Sequence, residues 1–148
     1  MQLMKHIFIG VAVCISSISF AQKNKSEKNK FLEGKKFSVN FYELKAGAPG
    51  KAVPTMVLIK GGKVEADLMY EKFQMQPMSY IVNVDSTFTE DEVENRIVSF
   101  EAMHAQDKND YKWEVTINNT DIEGTVVILK SGVEKKRYEF SGREKIKK

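Results

Sequence analysis

The stretch YKWEVTI, Tyr111 to Ile117, sets Trp113, Val115 and Ile117 on one side and Lys112, Glu114 and Thr116 on the other. A period of two sends successive side chains to opposite faces of an extended chain, so these residues describe a strand with one buried face. The pattern constrains the fold because it recurs. Lys36 to Leu44 sets Phe37, Val39 and Phe41 against Ser38, Asn40 and Tyr42. SYIVNVDS groups Tyr80, Val82 and Val84; DIEGTVVILK groups Ile122, Gly124, Val126 and Ile128; KKRYEFSG groups Tyr138 and Phe140.

Turn residues separate these runs. Gly61 and Gly62 stand between TMVLIK, whose Met56 and Leu58 are taken as the inward pair, and KVEADLMY, read as a strand. Two glycines there supply the positive φ of a tight hairpin. Asn118–Asn119 and Ser131–Gly132 do the same work farther on, and KAGAPGKA breaks pairing after the first strand. Pro77, in the methionine-rich connection FQMQPM, has no N–H for a ladder and should precede the strand that follows. Connections this short make sequence neighbours sheet neighbours.

One segment reads two ways. In TEDEVENRIVSFEAMHA, Thr89 and Glu92 have capping-box spacing, and Val93, Ile97, Phe100 and His104 suit one helical face. The same residues also alternate. A strand from about Asn95 to His104, with a turn of helix allowed at Thr89 to Glu94, is preferred because it brings the count to about eight. A closed eight-stranded barrel leaves no exposed edge. The expected fold is therefore all-β, an up-and-down antiparallel barrel over 31–142, with a basic tail at 143–148.

The chain opens MQLMKHIFIGVAVCISSISFAQ, a lysine, an apolar run and then small residues around Phe20, the order of a cleaved secretory signal. The run is shorter than the roughly 20 apolar residues a membrane span needs. Cleavage after Ala21 would place the protein in the periplasm or outside the cell. It would also remove Cys14, the one cysteine, leaving no disulfide or thiolate site. Residues 22–30 then read as a flexible lysine-rich linker. With 23 basic and 20 acidic residues the net charge is slight, so no nucleic-acid partner is expected.

About eight hairpin-linked strands opening on FLEGKKF resemble the calycin superfamily, and in particular small secreted lipocalin-like proteins of Bacteroidetes, which are similar in LEGKKF, IEGTVV and a terminal YEFSG. In lipocalins a glycine precedes an aromatic, usually tryptophan, that plugs one barrel end. Here Gly34 and Phe37 would take those places, with the aromatic one residue farther on and phenylalanine in place of tryptophan. The resemblance further implies a basic residue over that plug, for which Arg137 and Arg143 are the candidates. It implies a small apolar ligand in the barrel.

Chemistry beyond burial is sparsely signalled. Once His6 leaves with the signal, His104 is the one candidate base, too little for a triad or a zinc site. Glu90, Asp91, Glu92 and Glu94 lack the spacing and glycine of a calcium loop. Met75 and Met78, near Met69, offer thioethers suited to Cu(I) but fit a pocket rim or gap filling equally. Asp85–Ser86–Thr87 resembles the O-glycan attachment site of Bacteroidetes and would place Ser86 on an exposed loop. No phosphate-binding or dinucleotide glycine motif occurs, and no metal, cofactor or enzymatic activity is expected. The candidate ligand wall is Phe37, Val39, Phe41, Met56, Leu58, Tyr80, Val82, Trp113, Val115, Tyr138 and Phe140. An aromatic wall with a few N–H and hydroxyl handles suits a small apolar molecule. The alternative is a barrel filled by the same side chains, acting through loops such as Lys45 to Ala52 and Asp85 to Glu94.

Overall fold

The computed structural model describes residues 29–106 and 108–146. The leader-like residues 1–21, with His6 and Cys14, and most of the lysine-rich run lie outside the described residues. The strands are β1 (Lys36–Lys45), β2 (Ala48–Pro49), β3 (Val53–Lys60), β4 (Lys63–Ala66), β5 (Met78–Glu90), β6 (Val93–Gln106), β7 (Asn109–Asn118), β8 (Asp121–Lys130) and β9 (Val133–Glu144). One short helix, α1 (Asp67–Phe73), interrupts them between β4 and β5. All pairings are antiparallel, and β9 returns to pair with β1 from Phe37↔Glu144 to Glu43↔Tyr138. The result is an up-and-down barrel of eight strands, since β2 only extends β1 as a two-residue flap.

The alternation drives this closure. Inward residues Phe37, Val39, Phe41, Val98, Phe100, Trp113, Val115, Ile117, Ile122, Val126, Tyr138 and Phe140 are buried, whereas most of their strand neighbours are exposed or half-buried, Val127 on β8 being a buried exception. Burying each such apolar side chain contributes roughly 1.5 to 3 kcal/mol. Tight turns fix the register: Gly61–Gly62, Asp91–Glu92 and Ser131–Gly132 all have positive φ at both positions, the geometry that matches strand twist. At the β1–β9 seam the backbones approach so closely that a Cβ on Gly142 would overlap the Ser38 carbonyl oxygen and lie 2.6 Å from Val39 Cα. Only glycine fits there.

Several expectations need correction. KVEADLMY is a strand only to Ala66; the chain then turns into α1, which buries Leu68 and Met69 against the barrel. Ala66, Leu68 and Tyr70 alternate like a strand, but DLMYEKF carries strong helix formers and apolar Leu68, Met69 and Phe73 at helical spacing. Thr55 Oγ1 accepts the Leu68 N–H at 3.1 Å, and Gln74 ends the helix in the left-handed conformation at φ 54°. Conversely, no helical turn forms at Thr89 to Glu94; β5 and β6 run as a hairpin to a two-residue turn at Asp91–Glu92. Cross-strand pairing there outweighs the capping-box spacing.

The ends also shift. Asn29 is packed into the fold and does not belong to a linker, and β9 runs to Glu144, so the basic tail begins at Lys145 and not at Arg143. KAGAPGKA does not simply break pairing, because Pro49 and Ala48 fold back onto Leu44 and Lys45. Pro77 does precede β5.

Met56 and Leu58 face outward. They pair with the exposed Ser38 and Lys36, and Val57 and Ile59 point into the barrel instead. TMVLIK is apolar on both faces, so alternation alone could not choose between them. The register set by β1 and by the Gly61–Gly62 turn decides it.

Candidate functional site

Eight strands leave an interior just wide enough to be filled or to hold one small ligand. Side chains occupy it along most of its length. Near the β1–β9 seam Phe41 stacks on Phe140 with centroids 4.8 Å apart, and Trp113 meets both edge-on, at 6.4 Å from Phe41 and 5.7 Å from Phe140. Across the barrel Tyr80 packs on Phe100 at 4.8 Å. Of the expected wall, Phe37, Val39, Phe41, Tyr80, Trp113, Val115, Tyr138 and Phe140 are all buried, and Val82 packs partly buried against them.

One end, the floor, is sealed by the segment before β1. Leu32 is completely buried, as is Phe37 behind it. Asn29 folds the segment by accepting the backbone N–H groups of Phe31 and Leu32 on its side-chain oxygen. Gly34, at φ 83°, lets the chain turn in while its N–H donates to the Ile59 carbonyl at 2.7 Å. Glu33 then accepts the Gly61 N–H at 2.6 Å, tying the plug to the β3–β4 turn. Phe31 lies between the Lys35 ammonium, 4.5 Å from its centroid, and the Arg96 guanidinium, at 4.6 Å. So the plug is Leu32 with Phe31, added to Phe37, and its cations are Lys35 and Arg96.

Arg137 and Arg143 serve elsewhere. Arg137 pairs with Glu134 at 2.9 Å and Arg143 with Asp121 at 3.1 Å, both on the outside. Arg96 grips Asp85 at 2.8 and 2.9 Å, and Asn29 reaches the same carboxylate at 3.2 Å. The Arg96 hydrogen bonds hold the Asp85 carboxyl below its usual range. Ser86 lies next to it in the exposed outer part of β5, a strand and not a loop.

The other end, the mouth, is roofed by α1. Phe73, at its C-terminus, sits 6.1 Å from Tyr138 and 6.4 Å from Tyr111. Beyond it Gln106 donates to the Gln74 carbonyl at 3.2 Å. Beside α1, β4 is so short that it pairs with β5 only at Lys63↔Ser79 and Val64↔Met78. An open groove of about 330 Å³ lies there, lined by Asp67, Tyr70, Glu71, Met75 and Pro77 among others. Met69, Met75 and Met78 are buried in the wall under this groove, filling the irregular space where strand gives way to helix.

The polar tips of this region are unusual. Trp113 Nε1, the Tyr138 hydroxyl and Gln106 Oε1 are buried and make no hydrogen bond among the described residues. Buried polar atoms are ordinarily paired, and each one left unpaired costs about 1 to 3 kcal/mol. Burial, reinforced by the Glu43 carboxylate, pushes the Tyr138 phenol up to about 12. The Glu43 carboxylate lies close to the hydroxyl, but no hydrogen bond between them is formed in this arrangement. Tyr80, by contrast, accepts the Asn29 N–H on its hydroxyl at 3.3 Å; burial raises its pKa as well.

His104 lies exposed on β6 and makes no side-chain hydrogen bond or ion pair among the described residues. Among the described residues no group of three or more His, Cys, Asp or Glu could hold a metal ion, and no helix is long and apolar enough to cross a membrane. Sequence reading missed Asn29, Phe31 and Leu32 at the floor and Phe73 and Gln106 at the mouth. The first three stood before the first alternating run, and Phe73 lay in the helix taken for strand and connection. Comparison of the chain with protein-family models, curated proteins and solved structures gives no match.

Proposed function

We propose that this protein binds a small, mostly apolar molecule at the helix-covered mouth of its barrel, between Phe41, Trp113, Tyr138 and Phe73. The observation that carries this reading is the pair of buried, unpartnered donors on Trp113 and Tyr138, both of which pack against Phe41. A ligand with an acceptor such as a carbonyl or carboxylic acid oxygen would satisfy them, and its apolar body would replace the contacts of Phe73. Accommodation requires α1 to lift, because the rings already touch. No bond to the ligand is made or broken in this reading, and no cofactor is called on. The leader expected at residues 1–21 and the resemblance of the opening to lipocalins support it, since binding by burial suits a protein that would meet its ligand outside the cytoplasm.

Trp113 is the sole tryptophan, so its emission reports the site directly. Titration with palmitic acid, retinol and an anilinonaphthalene dye should give a saturable change with at least one of them. Tyr138→Phe should then weaken that binding by roughly three- to tenfold, the worth of one hydrogen bond. A flat response to all three, with no effect of Tyr138→Phe, would overturn the reading. The rival is a filled barrel acting through its surface, favoured by the Phe41–Phe140 stack, which leaves no gap between those rings.

A further inference from the structure

Among the described residues, β5 leaves most of one backbone edge without a partner strand. It pairs with β6 along nearly all its length, but its other edge meets β4 only at Ser79 and Met78, and the Tyr80 N–H then donates to the Gly62 carbonyl. Among the described residues no strand covers that edge from Ile81 to Glu90. An open edge of this length is a template for another strand, and natural proteins usually shorten, bend or charge it.

The direction of the free groups can be read from the neighbouring strand. The Arg96 N–H donates to Asn119 Oδ1 and the Arg96 carbonyl accepts the Asn119 N–H, each at 2.9 Å, so both backbone groups of Arg96 face away from β5. Thr87, opposite Arg96, is then in a non-hydrogen-bonded pair, and its own N–H and C=O point to the open edge. By alternation Asp85 and Thr89 do the same. The bulge between Val82 and Val84 lies outside this stretch.

The side chains beside that edge are apolar and exposed. Val84 is 44% and Phe88 42% accessible, on the outer face opposite Ser99 and Asn95. From these placements we infer that the β5 edge pairs antiparallel with the same edge of a second copy of this chain, centred on Ser86. In that register Asp85 faces Thr87 of the other copy, so the outward N–H and C=O groups meet. Val84 faces Phe88 twice, in the non-hydrogen-bonded positions where side chains approach most closely. No like charges oppose each other: Asp85 meets Thr87 and Glu90 meets Val82. The two-fold relation needs only one surface, as a closed dimer does. The lysine-rich residues 23–28 of the same chain contain no apolar side chain that would cover Val84 and Phe88, so they fit the edge less well.

Sedimentation equilibrium of the purified protein should show a reversible dimer. In a Cys14→Ser background, Ser86→Cys should cross-link to itself under mild oxidation, because facing residues in a non-hydrogen-bonded pair have Cα atoms about 4.5 Å apart, within disulfide range. Glu123→Cys, on the outer face of β8, should not. Val84→Lys with Phe88→Lys sets lysine against lysine twice and should weaken association at least about tenfold. Val84→Glu with Phe88→Lys should restore it, since each glutamate then faces a lysine. Trp113 emission checks that each variant stays folded. A protein that is monomeric at every concentration overturns the inference. So does a dimer indifferent to the double lysine variant, or Ser86→Cys chains that cross-link no faster than Glu123→Cys.

Discussion

The two ends of this barrel are closed by different kinds of contact. At the floor a continuation of the first strand is buried at Leu32, tied through Gly34 and Glu33 to the β3–β4 turn, and covered by cations over Phe31. Every polar atom that enters that end and is described above finds a partner, including the Tyr80 hydroxyl. At the mouth the cover is a seven-residue helix whose N-cap has no side-chain hydrogen bond, standing beside a four-residue strand. Beneath it two aromatic donors are unpaired. The floor is tied down by more contacts than the mouth, which suits the proposed entry of a ligand at the mouth. A single sheet can hold both because the strands between them join into one ring, fully paired at the β1–β9 seam and joined by only two residue pairs between β4 and β5.

The largest effect should come from the ring itself. Gly142→Ala must push the β1 and β9 backbones apart at Val39, and we expect a loss of about 3 to 5 kcal/mol or failure to fold, read by urea denaturation. Next, Leu32→Ala should cost about 3 kcal/mol through the cavity left in the floor, while Phe73→Ala, on a half-buried ring, should cost no more than about 1.5. Equal costs would erase the distinction between the ends.

Tyr138→Phe should be neutral or stabilising by about 1 kcal/mol, because it deletes an unpaired buried hydroxyl. It should also change the alkaline limb of stability. The folded-state phenol titrates at about 12, above its ordinary value of 10.0. Its contribution is therefore complete below pH 10 and is lost as the pH rises from about 10 to 12, when ionisation favours the unfolded chain. Wild-type stability should fall across that window by more than that of Tyr138→Phe.

The smallest effect concerns Asp85. Its pKa is lowered chiefly by the hydrogen bonds from Arg96. The stabilisation is present above the unfolded-state value and disappears as the pH falls through the folded one. Since the pair is about one-third exposed, Arg96→Met should reduce stability at pH 7 by less than about 1 kcal/mol, with the difference vanishing in acid.

Much of the ring could be read from period alone. YKWEVTI, KFSVNF and RYEFSG have one apolar face each, so their inward residues were fixed before the strands were placed. TMVLIK was not readable in this way, because both of its faces are apolar and only the pairing of Ser38 with Met56 turns Val57 inward. α1 was hidden for a related reason: Ala66, Leu68 and Tyr70 alternate, and the helix is stabilised by packing of Leu68 and Met69 against the barrel, a tertiary effect. The floor plug was half legible. Gly34 and Phe37 marked it, but Leu32 is buried and Arg96 reaches Phe31 only when distant parts of the chain meet. The unpaired donors under α1 depend on register and rotamer, which no local pattern encodes.

Site-resolved amide hydrogen exchange in the free protein tests the contrast between the ends most directly. The N–H groups of Gln74 and Met75, which close the end of α1 onto Tyr70 and Met69, should exchange through a local opening at least about a hundredfold more frequent than the global unfolding reported by β7. The Gly34 N–H, bonded to Ile59, should exchange only with β7. Equal protection at Gly34, Gln74 and β7 would contradict an opening mouth and, with it, the proposal that a ligand enters there.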